Sequence, residues 1–140
     1  MADLKSYSGK EVSVIVGAFP ISGYADGDFV TVAYTSDAYT KITGADDLTT
    51  RSKTGDSSGE ITITLQQTSE SNAVLSALAL ADRLGAGVGT ILIRDTNGLD
   101  IHTSTQAWIR KMPDATYGKE SGDRVWIFDC VGLESFVGGN

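Results

Sequence analysis

The sequence predicts a β-rich domain with one helix. Three observations lead there. Apolar and polar residues alternate along several runs, with a period of two. Sixteen glycines against two prolines mark many turns without a proline-rich linker. A helical apolar period occurs only once. The 140 residues suit a single domain spanning 1–140, long enough to bury a core without staples.

The elements follow in order. Val12, Val14 and Val16 alternate through residues 11–16, and Val30, Val32 and Tyr34 through residues 29–34. Asp26-Gly27 between residues 21–24 and the Phe29 run predicts a tight turn of type I′, as does Asn97-Gly98 further on. The connection over residues 35–59 is too long for a hairpin tip. It holds one possible short strand, 39–42, and two Gly/Asp-rich stretches, so it is expected to make contacts.

Ile61, Ile63 and Leu65 alternate with Thr62, Thr64 and Gln66, the cleanest strand in the chain. A helix is predicted over 72–84. Ser71 or Asn72 caps it, Val74, Ala77, Leu78, Ala81 and Leu84 share one face, and Gly85 stops it. Residues 91–94, 101–111 and 124–133 add three more β runs. In the last, Val125, Ile127 and Asp129 lie on one face and Trp126, Phe128 and Cys130 on the other. Both faces are largely apolar, so one is expected on the core and one against a partner. Trp126 and Phe128 are taken as the partner-facing pair.

Composition excludes several functions. There are 11 basic residues against 18 acidic, a net charge of -7, and no basic cluster longer than Arg110-Lys111. Tight binding of nucleic acid needs clustered cations. No run of about 18 apolar residues offers a membrane span, and the N-terminus shows no apolar signal region. One histidine, His102, and one cysteine, Cys130, leave zinc without a ligand set and make a Cys–His nucleophilic pair a remote prospect. Asp26-Gly27-Asp28 lacks the other ligands of a calcium loop. Gly85-Ala86-Gly87-Val88-Gly89 ends a helix instead of opening one, the wrong order for a phosphate loop. No catalytic residue, metal or cofactor is expected.

One resemblance goes further. Asp37-Ala-Tyr-Thr-Lys-Ile-Thr-Gly-Ala-Asp-Asp, Arg51-Ser-Lys and Ser58-Gly-Glu-Ile-Thr-Ile-Thr-Leu-Gln-Gln-Thr-Ser resemble the tail tube proteins of contractile-tailed bacteriophages. So do Tyr24-Ala-Asp-Gly-Asp-Phe, Ala107-Trp-Ile-Arg-Lys-Met-Pro-Asp-Ala and Arg124-Val-Trp-Ile-Phe-Asp. Glu70 and Ala73 depart from that pattern, where Pro and a charged residue are common; both affect only the helix entry.

The resemblance implies an antiparallel β-sandwich or barrel with one flanking helix, assembling into hexameric rings that share an inner β-barrel. Rings would stack into a hollow tube inside a contractile sheath, in the virion tail, after assembly in the host cytoplasm. The implied partners are further copies of the chain, the sheath, and the terminator, tape measure and baseplate proteins. DNA would pass only as cargo, and nothing would insert into a membrane. Tube subunits of type VI secretion and of phage-derived bacteriocins are similar, so that use stays open, as does a solitary β-sandwich that binds a ligand such as carbohydrate.

On the tube expectation, Thr62, Thr64 and Gln66 are the candidates for the channel wall, since they lie opposite the apolar face of their strand. Asp46, Asp47, Arg51, Lys53 and Asp56 of the long connection, with Trp126 and Phe128, are the candidates for contacts between subunits or rings.

Overall fold

The computed structural model describes residues 4–86 and 89–139. Ten strands and one α-helix follow in chain order: β1 (Val12–Val16), β2 (Phe19–Pro20), β3 (Val30–Tyr34), β4 (Tyr39–Thr43), β5 (Thr49–Lys53), β6 (Gly59–Gln66), α1 (Ser71–Ala81), β7 (Gly89–Asp95), β8 (Ile101–Lys111), β9 (Asp123–Val131) and β10 (Glu134–Phe136). Eight strands form one sheet in the order β2-β1-β7-β8-β9-β6-β3, with β10 on β8, and β4 and β5 form a separate pair. Every pairing is antiparallel. The fold is mainly β with one helix, as expected.

The chain between β2 and β3 draws the two sides of the large sheet together. Ile21 N donates to Val14 O of β1 at 2.9 Å. A few residues on, Ala25 N donates to Thr64 O, and Gln66 N donates to Gly23 O, both on β6. The enclosed space holds a single cluster that includes Val14, Ile61, Ile63, Leu65, Leu75, Ile91, Trp126 and Phe128. Each such side chain stabilises the fold by roughly 1.5–3 kcal/mol relative to exposure.

Strand β6 shows why the alternation was informative. Ile61, Ile63 and Leu65 are 0% exposed, while Thr62 and Thr64 are half-buried on the opposite face. Its register with β9 then decides which face of β9 turns inward. Ile61 lies opposite Phe128, and Ile63 opposite Trp126. Trp126 and Phe128 are therefore core residues, 1% and 2% exposed, and the expectation that they face a partner is corrected. The face left outside carries Val125, 44% exposed, with Ile127 and Asp129.

Helix α1 begins and ends near its expected bounds but turns differently. Leu75 is its fully buried apolar residue and Leu78 packs partly on the core, whereas Leu80 and Leu84 are exposed. The predicted cap side chains are used elsewhere. Ser71 Oγ accepts from Ser22 N at 3.0 Å, and Asn72 Nδ2 donates to Gln66 O at 2.9 Å. The helix is thus tied at its first turn to the β2–β3 connection and to the end of β6. A single π-type turn carries it to Gly85, whose φ of 97° only glycine adopts at low cost.

The two Asx-Gly turns are not type I′. The residues with positive φ, among those described, are Asp47, Gly17, Gly23, Gly85 and Gly132. Asn97 instead fixes its loop through side-chain bonds, donating to Ser8 O and accepting from Ser8 N, both at 2.9 Å.

Candidate functional site

Two surfaces gather the candidate residues. The first is the outer face of β6, β9 and β8, the side of the sheet turned away from the core. Register sets Thr62 opposite Ile127, Thr64 opposite Val125, and Gln66 opposite Asp123. Hydroxyls and apolar side chains therefore alternate between adjacent strands. Gln66 is exposed, and its amide nitrogen donates to Tyr24 O at 3.0 Å.

One end of this face is closed by charge. Arg110 on β8 donates from Nε to both carboxylate oxygens of Asp129 on β9, at 3.0 and 3.1 Å, and from Nη2 to Glu60 on β6 at 2.7 Å. These two carboxylates, Asp129 foremost, hold the guanidinium pKa above its ordinary value. The fork of Arg matches paired acceptors on neighbouring strands, which an ammonium does less well. Nothing local marked this cluster in the sequence, because its three members lie on three strands.

The second surface is the β4–β5 hairpin, which fills the middle of the long 35–59 connection. All ten of its strand residues are exposed. Its tip is a turn in which Asp47 N donates to Gly44 O at 3.0 Å and Asp47 takes φ 66°. Asp tolerates this left-handed position better than most residues. Asp46 supports the turn, its Oδ1 accepting from Leu48 N at 3.3 Å. At the base, Asp56 accepts from Ser58 N at 2.9 Å and from Ser36 Oγ at 2.8 Å. The Ser58 bonds, then the Ser36 bond, lower its pKa.

Four of the five charged candidates thus have distinct places: Asp46 and Asp47 at the tip, Arg51 and Lys53 on β5. Asp56 braces the base instead of projecting. Sequence reasoning passed over Lys41, which register places opposite Arg51.

The other chemical candidates are occupied structurally. His102 Nδ1 lies 2.8 Å from Ser135 Oγ on β10. Cys130 is 1% exposed, and burial, then Asp129, pushes its thiol up to about 11. A thiol kept protonated is a poor nucleophile. Arg124, 9% exposed, donates to Asp123 O and lies 5.3 Å from the Tyr117 ring, under the β8–β9 loop. No group of three potential metal ligands occurs among the described residues, nor a helix long and apolar enough to cross a membrane. Of the glycine-rich stretch after α1, Gly87 and Val88 lie outside the described residues.

Known proteins resemble this chain along nearly its full length. The profile of the family described as "Bacteriophage PhiTE tail tube protein" matches residues 9–138. "Structural protein ORF10" of Pseudomonas phage KPP10 is 28% identical over 144 residues, covering 96% of this chain and 83% of that protein. Two solved structures share the fold. One is the sheath/tube terminator of an extracellular contractile injection system (PVC) in its extended state. Its TM-score is 0.62 at 12% identity, over 97% of this chain and 100% of that one. The other is the tube-terminating cap of the anti-feeding prophage, with TM-score 0.63 at 13% identity, over 97% and 94% of the two chains.

Proposed function

The chain belongs to the bacteriophage PhiTE tail tube protein family, and from that premise we propose that it is the repeating subunit of a tail tube. A structural role in the tail follows from the family; the specific role as tube subunit is our inference. Six copies would close a ring, and rings would stack into the conduit inside the sheath. DNA would pass through it as cargo. Assembly would take place in the host cytoplasm, with the sheath, terminator, tape measure and baseplate as neighbours.

The observation that carries this reading is the division of labour on the large sheet. One face holds the whole core, and the other presents Thr62, Thr64 and Gln66 beside Val125 and Ile127. A monomer has no use for an exposed Val125 beside half-buried Ile127 and threonines. A ring has two: an apolar part for the neighbouring copy and a hydroxyl-bearing part for the channel. Strand β3 adds support. It ends the sheet, paired on one side only, and an unpaired edge invites a strand from a neighbour.

The channel should not hold DNA tightly. Each copy carries -7, and hydroxyls and amides offer contacts that water can replace. Cations there would instead engage phosphates through counterion release, which must be reversed at each step of sliding. The β4–β5 hairpin, with Asp46, Asp47, Arg51 and Lys53, would touch the next ring, where charge sets register more than affinity.

Microscopy of the purified protein at high concentration tests this. Rings that stack into tubes are expected; a strict monomer at millimolar levels, with no tubes even beside tail-tip proteins, would sink it. The two solved neighbours are a terminator and a cap, so a closing ring on the same fold is the second reading. Single rings that never stack would favour it.

A further inference from the structure

The β4–β5 hairpin carries a cationic face that forms no ion pair with any described residue. The Gly44 N–Leu48 O bond at 2.8 Å and the Thr54 N–Ala38 O bond at 2.8 Å set the register. They put residues 43/49, 41/51 and 39/53 at the sites between hydrogen-bonded pairs, where side chains approach most closely. Thr43 and Thr49 hydroxyls, 3.0 Å apart, show that closeness directly. The next pair along the same face is Lys41 opposite Arg51, and the next is Tyr39 opposite Lys53.

Like charges set directly across a strand pair are destabilising. A lone two-stranded hairpin is already marginal in water. Yet Lys41, Arg51 and Lys53 have no carboxylate within ion-pair reach among the described residues; the ion pairs there are those of Arg110 with Glu60 and Asp129. Arg51 lies over the Tyr39 ring at 4.2 Å. Stacking of that kind holds a guanidinium flat and leaves its edge donors available.

We propose that this cationic face of the hairpin docks on an acidic surface of a second copy of the chain, whose carboxylates bridge Lys41, Arg51 and Lys53. Charge complementarity selects that occupant. The chain has 18 acidic residues against 11 basic, so every copy offers surplus carboxylates to another. A nucleic-acid backbone fits less well, because three cations make a small cluster for tight phosphate binding and the sequence has no longer basic run to extend it. The inference rests on the reading of the hairpin as a contact between copies and adds what drives it. Docking would remove the Lys41–Arg51 repulsion at the moment of assembly, so the hairpin is ordered best in the assembled state.

The test compares wild type with the triple variant Lys41→Gln, Arg51→Gln, Lys53→Gln by sedimentation velocity and microscopy, from about 0.05 to about 0.5 M salt. Wild-type assembly should weaken with salt. The variant should need at least about tenfold more protein to assemble at low salt, respond less to salt, and unfold at the wild-type temperature, since the hairpin lies off the core. A second variant replaces residues 38–54 with a Gly/Ser linker. If the linker variant fails to assemble while the triple variant assembles like wild type, the charge proposal falls and the hairpin contact stands. If both assemble normally, the contact falls as well. A wild-type protein that never self-associates overturns the proposal. So does hairpin-dependent retention of a short DNA duplex in a gel, which would assign the face to nucleic acid.

Discussion

Trp126 Nε1 donates to Asn72 Oδ1 at 2.9 Å, joining the most buried aromatic of the sheet to the first turn of the helix. The indole fills the core with its rings and satisfies its one polar atom at the core's edge. The same Asn72 side chain donates to Gln66 O, so one residue holds β9, β6 and α1 in a fixed relation. Asn72→Ala should cost roughly 1–3 kcal/mol by leaving the indole N–H without its partner. Denaturant unfolding followed by tryptophan fluorescence measures it, and a cost near zero would mean that water replaces the amide.

The helix should be sensitive at Leu75 more than at Leu78. Leu75 is 0% exposed, while Leu78 is only packed against the rim of the core. Leu75→Ala should destabilise by about 2–5 kcal/mol, and Leu78→Ala by less. Leu84→Ala, at an 80% exposed position, should fall within about 0.5 kcal/mol of wild type. Equal losses at Leu78 and Leu75 would place the helix differently on the sheet.

Cys130 predicts a pH dependence. Its thiol, at 9.0 when unperturbed, is pushed up to about 11 in the folded chain, by burial first and Asp129 second. Between those values the unfolded chain has released a proton that the folded chain keeps. Stability therefore falls as pH rises from about 9 to about 11. Cys130→Ala should flatten that part of the profile, and the native thiol should resist alkylation at neutral pH. Fast labelling of folded protein would contradict this burial.

For the channel wall, Thr62→Lys with Thr64→Lys is the informative change. Both sites are half-buried on the outer sheet face, beside Ile127 and Val125, and lysine stems can lie along such surface. Tubes should still assemble at moderate salt. DNA ejection should slow, with a salt dependence that wild type lacks. Unchanged ejection with both lysines in assembled virions would remove these residues from the channel.

Much of the architecture was legible because a period of two is a local property. Ile61, Ile63 and Leu65 declare an inner face without reference to any other strand, and all three are buried. The single helical period and the glycine count determined that a β-rich chain would carry one helix, and the acidic balance argued against tight nucleic-acid binding. Strand β9 could not be oriented this way. Trp126/Phe128 and Val125/Ile127 are both apolar pairs, and only hydrogen-bonded register with β6 selects the first for the core. Helix α1 hid its inward residue for a related reason: apolar residues surround it, and the anchors at Ser71 and Asn72 set its rotation. Of the hairpin only β4 was legible, as the possible short strand at 39–42; ten exposed residues carry no apolar rhythm that would reveal β5 or the pairing. Lys41 and Arg51 stand ten positions apart in the chain, and neither is unusual alone. Their opposition is a fact of pairing between two strands, which the folded structure decides because a strand's hydrogen bonds are made to its neighbour and not to itself.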